Sequence, residues 1–212
     1  MNRILDSKEI SITKATLKTY LHSYKKSGLI YSAGRGWFSS IEKPFKLNQD
    51  PIKAVEQILK DKMPLLSFSC WSTEQLNSYT HHILSKFIIF VNTDSDFINN
   101  TAEVLEKAGY IVYKNPTKNE IGKFFKNTGK TVVLLPSISK EPKATDGYAP
   151  IEKILVDFLM ENRNFFIMEA SEADNTVGNA ILSGRINISL FLDYSKRRKF
   201  NIEINQLIPP KQ

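Results

Sequence analysis

The chain has 212 residues, 42% of them hydrophobic and 24% charged, with a net charge of +7, a composition typical of proteins that form a buried core. No stretch approaches the roughly 18 consecutive apolar residues of a membrane-spanning helix, and the first residues lack the apolar region of a signal peptide. The single cysteine, Cys70, excludes an internal disulfide and no metal-ligand spacing occurs, so we expect a cytoplasmic protein without a metal, a cofactor or a membrane partner.

The positive charge is concentrated near the N-terminus. Residues 1–46 contain nine Lys or Arg and three Asp or Glu, a net charge of +6, whereas the remaining residues carry 20 basic and 19 acidic side chains. This excess favours a polyanionic partner for the N-terminal segment. A solvated basic surface is the alternative that charge alone leaves open.

The segment from about residue 13 to residue 27 has the pattern of an amphipathic helix. Its apolar residues recur at helical spacing and form one stripe, which consists of Leu17, Tyr20, Leu21 and Tyr24. Ser11 or Thr13 can cap the start of this helix, and Gly28 stands where a left-handed residue often ends one.

The face opposite Leu17 carries basic, small and hydroxyl side chains and no acid. Lys and Thr side chains can reach base edges in the major groove of DNA, where carboxylates would repel the phosphates. Thr19 and His22 are the residues expected to point at the bases. Together with the neighbouring lysines and the tip of the next element, the candidate DNA-binding residues are Lys14, Lys18, Thr19, His22, Lys25, Lys26 and Arg35.

The stretch "SGLIYSAGRGWFSS", residues 27–40, predicts a short β-hairpin with Arg35 at its tip between two glycines. Glycine permits the unusual dihedral angles of such a turn and a close approach to the sugar-phosphate backbone. A basic helix followed by a hairpin is the second half of a winged helix-turn-helix, so residues 1–46 are predicted to form a DNA-binding domain. A winged helix that only docks to another protein is the alternative.

Only a dozen residues precede the predicted recognition helix, and they can supply one short helix at most. A complete winged helix-turn-helix has about two helices before its recognition helix. The domain is therefore expected to be minimal, or the sequence begins downstream of the original start.

A linker is predicted at 41–51, where two prolines stand among polar residues. Helices and strands then alternate, so residues 51–212 are predicted to form an α/β domain with a small mixed, partly parallel sheet. The continuous apolar runs at 86–92 and 131–136 are typical of central strands. The other predicted elements are helices at 51–62, from Ser72, at 94–109 and at 118–125, and strands at 64–70 and 110–114.

A further helix is predicted to begin at Pro150. Its apolar stripe leaves Glu152 and Asp157 on another face. The last third is expected to be helical with a break near Gly184, and it closes on a basic cluster that consists of Lys196, Arg197, Arg198 and Lys199. Solvation at a helix end explains this cluster, and a second DNA contact is the alternative.

The order of several segments resembles the AbiE-type antitoxin regulators of toxin–antitoxin systems. The segments are the basic helix, "GRGWF", "FSCWSTEQLN", "FIIFVN", "PIEKILVDFL" and "GRINISLFLDYSKRRKF". The resemblance implies an N-terminal winged helix joined to a C-terminal α/β domain. It also implies a repressor that binds double-stranded DNA at its own promoter and counteracts a nucleotidyltransferase-like toxin without requiring direct contact with it.

A thiol–imidazole enzyme is conceivable because Cys70 lies some ten residues before His81 and His82. Cys70 ends an apolar strand, however, and a buried, inert thiol is the commoner outcome. The two histidines are adjacent in a predicted helix, so their side chains diverge and cannot chelate one ion.

A nuclease-like enzyme is the second catalytic alternative, with an acidic site formed by Glu152, Lys153 and Asp157. Such sites usually place their acids on strands, whereas these residues lie on a predicted helix, where surface ion pairs are the favoured interpretation. The sequence shows no phosphate-binding loop or nucleotide fingerprint. No catalytic residues are therefore predicted, and the protein is not expected to be an enzyme.

Overall fold

The structure, a computed structural model, describes residues 12–82, 84 and 87–208. It begins with helix α1 (Lys14–Lys26), which is followed by a two-stranded antiparallel hairpin of β1 (Tyr31–Ser32) and β2 (Phe38–Ser39). The predicted helix and hairpin are therefore present.

Helix α1 begins and ends at residues that the sequence had indicated. The Thr13 hydroxyl accepts a hydrogen bond from the backbone N–H of Thr16 at 3.1 Å, which satisfies one of the free donors of the first turn. Gly28, just beyond the last turn, has a left-handed φ of 72°. The other cap candidate, Ser11, and the short helix expected before it lie outside the described residues.

A four-stranded mixed sheet forms the centre of the molecule, as predicted for an α/β protein. Its strands are β3 (Phe68–Ser72), β4 (Ile88–Thr93), β5 (Ile111–Lys114) and β6 (Thr131–Pro136). They lie in the order β3-β4-β6-β5, with β3 antiparallel to β4 and the other pairs parallel. The two continuous apolar runs form the central strands β4 and β6, because a strand buried on both faces needs apolar residues throughout.

Helices cover both faces of this sheet, and none of them, in the part of the chain that the structure describes, is long and apolar enough to cross a membrane. They are α2 (Asp50–Lys62), α3 (Ile98–Lys107), α4 (Lys118–Phe124), α5 (Ile151–Phe165), α6 (Ala170–Ser183), α7 (Ile188–Arg197) and α8 (Ile204–Leu207). Side chains of α2 and α3 share one core with the sheet, and α4 to α8 share the other. The predicted break near Gly184 separates α6 from α7.

The helix predicted to begin at Ser72 is instead a short 3₁₀ helix, Thr73–Tyr79. Its side chains make bonds outside a regular helix: the Gln75 amide donates to the backbone oxygen of Asn48 at 2.6 Å. Beyond its end, the Thr80 hydroxyl is within 2.8 Å of the backbone oxygen of His82, in a turn. These contacts depend on residues distant in sequence or on the turn itself, which helical spacing does not reveal.

The two cores draw almost all of their buried residues from positions 52–207, and Ala33 of the hairpin is the exception. We therefore expect a fragment of residues 48–212 to be soluble and to unfold cooperatively in urea. Removal of the hairpin uncovers the part of the core beneath Ala33, so the fragment should be less stable than the full chain. Circular dichroism during urea unfolding measures both properties, and a fragment without a cooperative transition would contradict the predicted boundary.

Candidate nucleic-acid interface

Helix α1 presents an exposed basic surface. All of the candidate residues on the helix are exposed: Lys14, Lys18, Thr19, His22, Lys25 and Lys26. The helix contains no acidic residue, and Lys25 and Lys26 stand in its last turn, where positive charge is favourable beside the helix dipole. The surface is thus available to a large anionic partner, and part of its charge also stabilises the helix.

None of the residues in the predicted apolar stripe of α1 is fully buried by the described part of the chain. Leu17 and Leu21 are half-buried, whereas Tyr20 and Tyr24 are 49% and 45% exposed. The two tyrosine rings stack on each other, with centroids 6.3 Å apart. The helix therefore exposes an apolar side as well as a basic one.

The hairpin tip places Arg35 in solvent between two glycines with left-handed φ angles, 105° for Gly34 and 79° for Gly36. The glycines differ in their surroundings. A Cβ atom at Gly36 would meet nothing within 4 Å, whereas one at Gly34 would lie 2.8 Å from the backbone nitrogen of Ser189. Gly34 is therefore required for packing against the start of α7, and only Gly36 is open for the expected approach to a sugar-phosphate backbone.

The basic cluster at the end of α7 is divided. Lys196, Arg197 and Lys199 are exposed, and Arg197 donates a hydrogen bond to the backbone oxygen of Lys140. The Arg198 side chain is only 12% exposed, and its Nη2 lies 3.2 Å from Glu161 Oε1. The prediction that this cluster is solvated is thus wrong for Arg198. A second DNA contact remains a prediction for Lys196, Arg197 and Lys199.

The expected surface ion pairs on α5 are buried instead. The Lys153 ammonium is fully buried and lies 2.7 Å from Asp157 Oδ2, 3.2 Å from Glu141 Oε2 and 3.1 Å from the Tyr194 hydroxyl. The Tyr194 hydroxyl donates to Asp157 Oδ1 at 2.8 Å. Helix α5 lies in the middle of its layer and is buried on nearly every side, so the positions off its apolar stripe also face other elements.

Burial and nearby charges together shift the pKa values of three groups in this buried ionic network. It raises the pKa of the Tyr194 phenol, and the adjacent Asp157 carboxylate raises it further, so Tyr194 stays protonated and donates. Burial also raises the pKa of Glu161, against the hydrogen bond from Asn164 and the charge of Arg198. For Arg198, burial acts to lower the pKa, but Asp157 and the other nearby groups raise it above its ordinary value.

The residues considered for nuclease chemistry make hydrogen bonds and ion pairs within the fold. Lys153 and Asp157 are bonded to each other and to Tyr194, and one Glu152 carboxylate oxygen accepts the backbone N–H of Asn187 at 2.7 Å. Among the described residues, no group of three or more His, Cys, Asp or Glu side chains could hold a metal ion. These charged side chains connect α5 to α7, to the residue before α7 and to the loop before α5.

Of the residues considered for thiol chemistry, Cys70 is buried and the two histidines are exposed. Cys70 is fully buried, as predicted, and burial raises the pKa of its thiol far above the neutral range, which leaves it protonated. His81 and His82 are exposed in the turn after the 3₁₀ helix, not in a helix as expected. No thiolate–imidazole pair is therefore formed by these residues.

A cavity of about 490 Å³ opens at the carboxyl ends of β4 and β6. This edge is where open α/β sheets usually bind ligands. Side chains of both signs line the cavity, among them Lys60, Glu141, Lys143 and Asp146. Such a mixed lining does not select one class of ligand.

Comparison with known proteins supplies the family of the chain and nothing closer. No curated protein and no solved structure matches it. Residues 16–212, from the first turns of α1 onward, match the model of a family of unknown function, DUF6577. The match includes the basic helix from Thr16 onward, the hairpin, the sheet and the buried ionic network. The chain is therefore a member of the DUF6577 family.

Proposed function

We propose that this protein binds double-stranded DNA through the basic face of α1 and the tip of the hairpin, in the manner of a minimal winged helix-turn-helix. The observation that carries the proposal is the exposure of seven candidate contact residues on an acid-free helix and the hairpin that follows it. An α-helix fits the major groove, and exposed lysines on it can reach the phosphates at the groove edges. Arg35 at the wing tip would contact the adjacent backbone.

Autorepression and antitoxin activity are the biological roles that we propose on the basis of the AbiE-type resemblance. In this role the protein would bind its own promoter and counteract a nucleotidyltransferase-like toxin, with no direct contact required. A reporter under this promoter should be repressed by the full chain. Repression should be lost when Lys18 and Arg35 are both replaced by alanine, whereas unchanged repression would contradict the proposed contacts.

The experiment that tests DNA binding compares Lys18→Ala and Arg35→Ala with the unchanged protein in a salt titration. The salt slope is the steepness with which log K falls as log salt rises. Each lost phosphate contact should reduce this steepness by about 0.9, because about one counterion fewer is released. Lys107→Ala is the matched control, since Lys107 is 80% exposed and lies on α3. This helix packs on the core that contains no residue of the hairpin. If Lys107→Ala changes the slope as much as the other two, net charge and not this surface governs binding.

Thr19 and His22 are expected to contact base edges, so their substitutions should have a different signature. Thr19→Ala and His22→Ala should weaken binding to the promoter by about 1–3 kcal/mol for a good specific contact, with little change on a scrambled duplex. Fluorescence anisotropy with both duplexes measures this difference. An equal loss on the two duplexes would show that these residues do not read the sequence.

Protein docking without DNA binding is a second candidate, and the exposed apolar side of α1 favours it. Tyr20 and Tyr24 lie there, and Leu29, just beyond the helix, is 61% exposed. Large exposed apolar side chains next to one another often mark a protein contact. The same titration separates the two functions, because a docking module would not bind a duplex even at low salt.

A further inference from the structure

The break between α6 and α7, residues 184–187, receives both the predicted linker and the hairpin. The backbone N–H of Phe45 donates to the oxygen of Arg185 at 3.0 Å, and the N–H of Arg185 donates to the oxygen of Lys43 at 2.8 Å. A Cβ atom at Gly184 would lie 2.8 Å from the Cα of Phe45. The linker is therefore held directly against this break and is not a free connection.

The Arg185 side chain joins the linker to the hairpin. Its Nε donates to the backbone oxygen of Glu42 at 3.2 Å, and its Nη1 donates to the backbone oxygen of Ser32 at 3.0 Å. The guanidinium also lies 5.7 Å from the centre of the Tyr31 ring. One side chain thus contacts the first hairpin strand and the segment after the second.

The hairpin tip is held at a second point, at the start of α7. The backbone N–H of Ile188 donates to the oxygen of Ala33 at 2.8 Å, and Ala33 is buried. Gly34 allows this approach, as described above for Ser189. Between the hairpin and the helices, an apolar cavity of about 250 Å³ remains. Side-chain packing beneath the hairpin is therefore incomplete, and the hydrogen bonds of Arg185 and of the Ile188 backbone contribute to the attachment of the hairpin.

We propose that Arg185 is a positioning residue for the DNA-binding hairpin: it fixes the wing on the C-terminal helices, so that the contact of Arg35 with DNA depends on a residue 150 positions away. The DNA arm of this inference rests on the proposed function. Lysine cannot replace this arginine, because one ammonium cannot reproduce a planar fork directed at two separate carbonyl oxygens. A positive charge at residue 185 is therefore not sufficient to hold the hairpin in place.

Tryptophan fluorescence tests the positioning role without DNA. The chain has two tryptophans: Trp37 follows the hairpin tip and is 36% exposed, whereas Trp71 is fully buried against Phe90. Acrylamide quenching therefore reports mainly on the hairpin. In the full chain, Arg185→Ala and Arg185→Lys should both increase the quenching of Trp37. Arg163→Ala, which removes an arginine stacked on Phe200 at 4.3 Å, should leave it unchanged.

A double-substitution experiment with DNA tests the consequence for binding. In the unchanged protein, Arg35→Ala should lower the salt slope by about 0.9, whereas in the Arg185→Lys background the same change should have little further effect. A full effect of Arg35→Ala in that background, or unchanged quenching in both Arg185 variants, would overturn the positioning role. If the unchanged protein binds no DNA but Arg185→Lys still releases Trp37, the proposed function fails and the attachment of the hairpin stands.

Discussion

Replacing Lys153 with alanine is expected to lower the free energy of unfolding by about 3–5 kcal/mol. The Lys153 ammonium is fully buried and lies within 3.2 Å of two carboxylates, those of Asp157 and Glu141. Its loss takes from Asp157, which is 2% exposed, the nearer of its two cations, and leaves it with Arg198, whose Nε lies 3.6 Å away. Removal of one partner from a buried ion pair is among the most destabilising single changes in proteins, because the remaining charge stays out of water with fewer compensating contacts. Urea unfolding followed by circular dichroism measures the effect.

Lys107→Ala is the control for this substitution, because Lys107 and Glu103 form an exposed pair with the same four-residue spacing. Its expected cost is about 0–1 kcal/mol, since water already screens both charges. A double variant, Lys153→Met with Asp157→Leu, should recover part of the loss by removing both charges. An Lys153→Ala cost no greater than that of Lys107→Ala would show that the buried network does not hold α5 in place.

Removing three positive charges from the candidate interface should have the largest effect on binding. The combined Lys18→Ala, Lys26→Ala and Arg35→Ala variant should lower the salt slope by about 2.7, about 0.9 for each lost phosphate contact. The fold should be retained, because all three side chains are exposed and, at the two helical positions, the higher helix propensity of alanine offsets the loss of Lys26 beside the helix dipole. Titration against the promoter duplex measures the slope.

A second triple variant controls for the change in net charge. Lys107, Lys118 and Lys123 are also exposed, and their replacement by alanine removes the same charge from α3 and α4. This variant should keep most of the slope of the unchanged protein. Equal losses in the two triple variants would mean that DNA responds to total charge, and the assignment of a contact surface to α1 and the hairpin would be wrong.

The sheet could be predicted from the sequence because its signals are local. Continuous apolar runs identified β4 and β6, and Thr13 and Gly28 marked the ends of α1, since capping depends on nearby residues. The 3₁₀ helix after Ser72 could not be distinguished from an α-helix, because the bond from Gln75 to Asn48 joins residues 27 positions apart.

The buried ionic network was missed because its spacing imitates a surface pair. Lys153 and Asp157 are four residues apart, which is also the spacing of solvent-exposed pairs on helices. Their other partners, Glu141, Tyr194 and Arg198, come from a loop and the end of α7. One signal was present: α5 is apolar over more than one face, which is typical of a helix buried on all sides.

The role of Gly34 was also misassigned for a physical reason. A glycine with a positive φ in a hairpin tip has the same local pattern whether DNA or protein approaches it. Its neighbour in the structure is Ser189, 155 residues later in the chain, and no local pattern records that approach. Arg35 and Gly36, which follow Gly34, are exposed to solvent, so the tip remains a candidate DNA contact.

A salt titration of the unchanged full chain on its promoter duplex, beside a scrambled duplex, tests DNA binding most directly. We expect binding to both duplexes at low salt, tighter binding to the promoter, and a linear fall of log K with log salt, because basic side chains displace counterions from the phosphates. Absence of binding to either duplex at low salt, or binding whose strength does not change with salt, would contradict the proposed function.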